Sequence, residues 1–509
     1  MTKDIALPEG RAMVVCSFFR DQDKPKCGKC DEYNMGNRIF KANNFIKTIR
    51  YFKKNGIRHT YYAAKERLEE ERKADYYYRE PSEETLAKQR EESRAYSYLF
   101  SIVVPAFETD KTFLREMIDS VYRQSYDKWE LIIVDAGSID VVERTVGQIM
   151  NERSDERIKY KRLTENRGIS ANTNEGLALA SGDYIALLDH DDFLAPDALY
   201  HMAAMLYRTR QQGINPAVLY TDEDKYDNNT GYFISPHKMK AFNLDLFLSN
   251  NYICHFMAVE AKLLKKLGLR GKYDGAQDYD LVLRVVGELC KEMPMQKLPE
   301  RIIHIPQVLY HWRCHADSTA DNTASKSYAY EAGKAALEAF CAGQGWHVEV
   351  KDSLHLGFYD ITYLPDILTV RKDVGIVGGR LLDRHKYICG GAMESDGSFM
   401  YEGLFREYSG GSTHRAALKQ DVAAADIRCM QVGPELRGEF EHITGIAYTE
   451  RTIRCGRGRT GRQIRIADVS GLSCDEEGYR KLGRELGRAA AELGYFVLWD
   501  PQMEIMIER

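Results

Sequence analysis

Between residues 98 and about 350 the apolar positions alternate between short solid runs and longer stretches with one apolar face. Leu99 to Val104 is such a run, interrupted only at Ser101 and stopped by Pro105. Thr112 to Gln124 then places Phe113, Met117, Ile118 and Val121 on one side of a helix. Leu131 to Val134 is the next run and ends in Asp135-Ala136-Gly137-Ser138. Asp140 to Met150 reads as a helix, Ile158 to Leu163 as a strand and Ser170 to Ala180 as a helix. Tyr184 to Leu188 follows, entered through Ser181-Gly182 and ended by Asp189-His190-Asp191-Asp192. Solid apolar runs of this length fit strands buried on both faces. Strands alternating with helices predict an α/β fold with a doubly wound, mainly parallel sheet.

The flanks have different patterns. In Arg38 to Lys54, Ile39, Phe40, Ile46, Ile49 and Phe52 lie among basic residues as in an amphipathic helix, with Gly56 as a stop. Ser82-Glu83-Glu84 opens another helix. Docking on the rest of the protein is the expected use of this lead-in, since most amphipathic helices bury their face on protein. At the other end, Pro365 marks a boundary, and Arg451, Arg454, Arg457, Arg459, Arg462 and Arg465 crowd a Gly-rich stretch. These arginines could meet anionic lipid headgroups or a lipid diphosphate, or form a solvated loop. The resulting division is a helical region over 1–97, a catalytic domain over 98–350 and a second module over 351–509.

Composition narrows the classes. A chain of 509 residues allows two or three domains. The formal net charge of −5 gives no footprint for nucleic acid. The absence of an apolar run of about 18 residues or of a signal-type leader predicts a cytoplasmic protein. The 11 cysteines are scattered as reduced thiols would be. Cys27 and Cys30, with Cys16 upstream, could be half of a zinc site or a redox pair, but no second pair completes them.

The strongest chemical signal is the acidic turn after Tyr184 to Leu188. Carboxylates gathered at a buried strand's end repel one another unless a cation lies between them. In open α/β sheets ligands bind beyond the carboxyl ends of the strands. Hard oxygen ligands there suit Mg²⁺ or Mn²⁺, usually with a substrate phosphate.

Five ordered segments carry a resemblance: SIVVPAFE, WELIIVDAGSID, ENRGISANTNEGLALASGDYIALLDHDD, GAQDYDLVLRV and VLYHWRCHADST. Over about residues 98 to 325 the chain resembles a family 2 glycosyltransferase of the GT-A fold, of the bacterial surface-polysaccharide type. The resemblance implies transfer of a sugar, with inversion, from a nucleotide diphosphate sugar to a cell-surface glycan or lipid-linked acceptor, with Mn²⁺ or Mg²⁺. A hexose or rhamnose is expected by family association. Contact with the inner face of the membrane is an expectation of the same kind.

By similarity, Pro105, Phe107, Glu108, Asp135 and Ser138 hold the nucleoside. Ala136 stands where the family usually has a second Asp, which puts a uracil preference in doubt. Arg167 and Asn174 run beside the nucleotide. Asp191 is the main metal ligand, and Asp189 contacts the ribose or a water on the metal. Asp278 takes the position of the catalytic base, with Gln277 where a Glu is usual. His311 is a candidate third metal ligand or diphosphate contact, Arg313 and Lys326 are candidates for phosphate, and Asp222 and Asp224 for the acceptor side. The segment from Asp373 through Ala392 resembles the back half of a second GT-A domain without its carboxylate motif, hence a degenerate module. Two rival readings are a nucleotidyltransferase, which should show a Gly-rich phosphate loop after the first strand, and a non-catalytic nucleotide-sugar or glycan-binding scaffold.

Overall fold

The computed structural model describes residues 42–71, 76–253, 255–315, 325–455 and 462–508. The Cys16, Cys27 and Cys30 reading and the tip of the arginine-rich stretch lie outside these residues, as does the side chain of Lys326.

The first domain is built on one large sheet. Its strands are β1 (Phe100–Ala106), β2 (Trp129–Asp135), β3 (Ile158–Arg162), β4 (Tyr184–Leu187), β5 (Phe193–Leu194), β6 (Val218–Asp227), β7 (Tyr232–His237), β8 (Met257–Glu260) and β9 (Ile302–Cys314). Their spatial order is β3-β2-β1-β4-β8-β6-β9-β5, with β7 on β6. The first four strands run parallel, as the alternating pattern predicts. β8 enters antiparallel between β4 and β6, while β6 and β9 are parallel. The sheet thus has a parallel half and a mixed half that meet at β4.

Residues of successive parity on these strands face different cores, because side chains alternate across a sheet. Val103, Ile132, Val134 and Ile185 join one core with the helix Gln277–Leu289. Ile102, Val104, Leu131, Ile133, Tyr184 and Ala186 join the other with the helices Lys111–Tyr122 and Ala198–Gln211. The helix Ile169–Leu179 lies so close to β1 that a Cβ at Gly176 would come 2.5 Å from Val103 Cγ1. Asp110 caps the helix Lys111–Tyr122 by accepting from Thr112 N and Phe113 N.

The hairpin Val348–Asp352/Tyr359–Tyr363 adds Val350, Tyr359, Ile361 and Tyr363 to the first core. This hairpin thus packs with the first core although most of it lies past residue 350. The second module centres on Val374–Leu382, which runs parallel to Phe496–Met506 and antiparallel to Ile388–Gly390 and Met430–Val432. Arg371 locks the two parts together from full burial, bonding Asp245 in two places (3.0 and 3.2 Å), Asp373 and Tyr363.

The lead-in is helical over Ala42–Glu71, and its backbone leaves helical geometry at Gly56 (φ 76°), where the sequence predicts a stop. It crosses to the second module. Glu66 accepts from the backbone N–H groups of Ser409, Gly410 and Gly411, and Arg58 pairs with Glu407 at 3.0 Å. Farther along, Tyr76 and Tyr78 return to the first domain.

Candidate active site

The candidate site lies at the end of β4, where the main chain turns through Asp189, Asp191 and Asp192. Asp192 points inward. It accepts from Tyr310 Oη and from Arg313 N (2.7 Å), and burial, reinforced by the charges of Asp191 and Asp189, pushes its carboxyl well above the usual range. This side chain braces the turn. Asp191 and Asp189 face outward, with side chains 24% and 47% exposed. His315 Nε2 lies 3.0 Å from Asp191 Oδ2, and His255 Nε2 lies 3.7 Å from Asp189 Oδ2.

His255 sits just before β8, stacked on Tyr310 with ring centroids 4.8 Å apart and planes 13° from parallel. Its Nδ1 is 3.1 Å from Glu223 Oε2, and the other oxygen of Glu223 is 3.3 Å from His237 Nδ1. Burial opposes charge on His255. The Glu223 hydrogen bond and the charges of Glu223, Asp189 and Asp192 outweigh it and push the pKa up to about 10. Burial likewise opposes charge on Glu223, but bonds to His237 and His255 pull it down to about 2.

Asp278 lies in the first turn of the helix Gln277–Leu289 and accepts from Asn251 Nδ2 at 2.8 Å. Burial raises its pKa, and the positive field of His255 partly opposes the rise. His255 lies within range of the charges of Asp189, Asp192 and Asp278, which places the imidazole between the carboxylate turn and Asp278.

Other expected site residues occupy different surroundings. Ser138 Oγ donates to Glu108 at 2.5 Å, tying the loops after β1 and β2 together beside exposed Phe107 and half-buried Pro105. Asp135 is buried and accepts from Gly137 N and Tyr160 Oη, both at 2.8 Å. Arg167 pairs with Glu175 at 2.5 Å and remains half-exposed.

Five expectations are corrected by packing. Asn174 uses its amide on both backbone groups of Leu269 (2.8 and 2.9 Å), so it fastens a helix rather than facing a nucleotide. His311 is buried against Asp224 at 2.6 Å, with Tyr78, Phe193 and Phe233 around its ring. Neighbouring Tyr310 faces the aspartates, so strand alternation turns His311 away from Asp191. Arg313 is 1% exposed and bound to Glu116, Asn228 and the Asp191 carbonyl, which leaves it no free face for phosphate or acceptor. Asp222 is closed in by Met239 N and His304, and Asp224 by Tyr76 and His311. Of the acidic run on β6, the residue that turns toward the cleft is Glu223.

Sequence reasoning missed Glu223, His255 and His315. Period-two alternation along Asp222-Glu223-Asp224 is the signal that separates Glu223 from its neighbours. His255 and His315 carry no local pattern; only the pairing of β8 with β4 and of β9 with β5 brings them to the turn.

The donor set at the turn suits a hard divalent cation: two outward carboxylates, an open side and no thiolate. Among the described residues, no group of three or more His, Cys, Asp or Glu side chains is arranged to hold a metal by itself.

A parallel half-sheet ending in D-x-D, with a carboxylate at a helix start nearby, is the arrangement that the GT-A resemblance implies. Residues 101–268 match the family described as "Glycosyl transferase family 2". The protein y4gI of Sinorhizobium fredii is 38% identical over 48% of this chain and 25% of its own length. The O-antigen biosynthesis protein RfbC of Myxococcus xanthus is 33% identical over 53% of this chain and 20% of its own. The chain thus spans a quarter or less of these two relatives. The putative colanic acid biosynthesis glycosyl transferase WcaA of Escherichia coli is 29% identical over 41% of this chain and 72% of its own. Among solved structures, S. aureus TarS 1-349 aligns at 18% identity over 48% of this chain and 65% of that one, with a TM-score of 0.35. Among the described residues no helix is long and apolar enough to cross a membrane.

Proposed function

We propose that the chain is an inverting, divalent-metal-dependent glycosyltransferase. It moves a sugar from a nucleotide diphosphate donor to a cell-surface polysaccharide or a lipid-linked glycan. The observation that carries this reading is the placement of the outward carboxylates Asp189 and Asp191 and of a separate carboxylate, Asp278, around His255.

In this reading Asp191, with Asp189, holds Mn²⁺ or Mg²⁺ together with the donor. When bound, that ion neutralises charge on the departing diphosphate. Asp278 accepts the proton of the acceptor hydroxyl as its oxygen attacks the anomeric carbon from the face opposite the leaving group. One bond forms as the other breaks, which inverts the anomeric centre. The raised pKa of Asp278 suits a base, which works best when its affinity for protons approaches that of the medium. Pro105, Phe107, Glu108, Asp135 and Ser138 form the nucleoside side of the cleft, with Arg167 beside it.

The acceptor class follows from the relatives named for O-antigen and colanic acid synthesis. A surface glycan assembled on lipid would bring the enzyme to the inner face of the membrane. Exposed Arg451, Arg454 and Arg465 on the hairpin Glu450–Cys455/Arg462–Ala467 suit such an anionic surface. The second module is a degenerate glycosyltransferase unit that supports the first. The test is a panel of nucleotide sugars with Mn²⁺ or Mg²⁺, scored for donor turnover. Turnover that survives both chelation and Asp191→Ala would refute the metal role.

A further inference from the structure

Among the described residues, the side chain that hydrogen-bonds the proposed base Asp278 is Asn251, and the roles above give it none. We propose that Asn251 is a positioning residue for the base: its amide N–H fixes one oxygen of Asp278, so that the carboxylate meets the acceptor hydroxyl in a set orientation. The proposal rests on the reading of Asp278 as the base of a glycosyl transfer.

Three observations support it. First, the contact is direct and its N–H is held in place. Asn251 Nδ2 donates to Asp278 Oδ2 at 2.8 Å. Asn251 follows the short helix Leu244–Ser249. On one side of it, Asn250 N donates to Leu246 O at 3.1 Å and Asn250 Nδ2 to Gly357 O at 3.1 Å. On the other, Tyr252 is buried and its hydroxyl accepts from Asn243 N at 2.8 Å. With both neighbours anchored, the amide is aimed by a fixed backbone. Second, the bond is not needed to join the two elements. Tyr279 Oη donates to Phe247 O at 2.9 Å, and the two rings pack in the first core with centroids 5.1 Å apart. What the Asn251 bond adds is the direction of one carboxylate. Third, two carboxylates in the first turn of one helix are treated differently. Asp280 is 1% exposed and is clamped by Arg270 at 3.1 Å and Arg284 at 2.9 Å. Two guanidiniums complete its ion pairs. Asp278 receives a neutral amide instead, which orients an oxygen without closing the carboxylate in an ion pair. Gln277, at the position where the resemblance expects a Glu, spends its Oε1 on Gly275 N at 2.8 Å.

The test is steady-state release of nucleoside diphosphate by the full chain in Mn²⁺. The donors are UDP-glucose, UDP-N-acetylglucosamine, UDP-galactose, GDP-mannose and dTDP-rhamnose, with octyl glycosides as acceptors. With the donor that the wild type turns over, Asn251→Ala is expected to lower kcat by roughly 10- to 100-fold and to leave the donor KM within about twofold. Asn251→Leu keeps the volume, lacks the N–H and should match it, with melting as a check on folding. In the Asp278→Asn background both substitutions should cost almost nothing more, because the carboxylate they position is gone. A purely structural Asn251 would give additive losses. Wild-type kcat in a folded Asn251 variant, or a loss that adds fully to that of Asp278→Asn, would overturn the positioning role and leave the glycosyltransferase reading standing. Unfolding of both variants would overturn it as well, by making Asn251 part of the fold. Asp278→Asn at the wild-type rate would remove the base and this inference with it. A wild type that turns over none of the five donors would sink both.

Discussion

The cleft and the second module handle buried charge in opposite ways. In the cleft, the ion-pair partners of Asp189, Asp191 and Glu223 among the described residues are histidines alone. Around the second module, arginines match the carboxylates. Arg371 holds Asp245 and Asp373, Arg380 and Arg406 share Glu504, and Arg428 spans Asp426 and Glu476. Forked guanidinium pairs complete themselves and need no ligand. In the proposed reading, carboxylates that outnumber their fixed cations await a cation and an anionic substrate, so the contrast is the one expected if chemistry lies at β4 and scaffolding in the module.

The sharpest way to break the contrast is to remove charge from the cleft. Asp278→Asn should lower donor-dependent transfer by roughly 10²- to 10⁴-fold while leaving donor binding in place, the range expected for loss of a general base. Asp191→Ala should cost about a hundredfold or more in kcat/KM, because metal neutralisation of the leaving group is worth several kcal/mol. Its effect should merge with that of chelation instead of adding to it. Transfer by Asp278→Asn at the wild-type rate would remove the base from the account.

The pH profile tests the same carboxylate. Burial raises the Asp278 pKa above that of an ordinary Asp, so its ionised, basic form is lost sooner as pH falls. The acid limb of kcat/KM should therefore lie above the usual Asp range and disappear from the residual activity of Asp278→Asn. For stability the sign is reversed. A raised carboxyl pKa means that the folded state holds the proton more tightly, so ionising Asp278 weakens the fold as pH climbs through its pKa. Replacing it with Asn should make the protein no less stable near neutral pH in a denaturant melt.

On the module side the largest effect should come from Arg371. Arg371→Met leaves Asp245 and Asp373 without their buried partner, a change expected to cost about 3–5 kcal/mol. Equilibrium denaturation would register it as a shift in midpoint. A neutral result would mean that Asp245 takes up a proton and that the pair is dispensable.

Much of the first domain was legible before its structure. The solid runs at Leu99 to Val104, Leu131 to Val134 and Tyr184 to Leu188 are β1, β2 and β4, because a strand covered on both faces is mostly apolar and its one polar break, Ser101, is satisfied by Glu130. The β4 carboxylates stand out for the same reason: charge at a buried strand's end is costly unless something balances it. The errors came where tertiary pairing decides direction. Asp222 and Asp224 were expected at the site and Glu223 was not, yet a one-residue step on β6 sends their side chains to opposite faces. His311 was favoured by its motif, but its ring lies on the strand face opposite Tyr310. His255 was unreadable because β8 reaches β4 only by an antiparallel return that no local pattern encodes.

The lead-in helix offers the smallest effect and the finest test of the contrast. It behaves like the module: Glu66 brings its carboxylate to the N–H groups of Ser409, Gly410 and Gly411, and Ser409 Oγ donates to it at 3.0 Å. Gly410 and Gly411 have φ of 86° and 80°, a geometry open to glycine that turns successive N–H groups toward one point. Glu66→Gln keeps the shape but halves the accepting capacity and removes the charge, so about 1–2 kcal/mol of local stability should be lost. Hydrogen exchange should accelerate in residues 42–71 and at 409–411 while β1 to β4 stay protected. If Glu66→Gln also lowered transfer, the helix would belong to the catalytic unit and the division between cleft and scaffold would have to be redrawn around it.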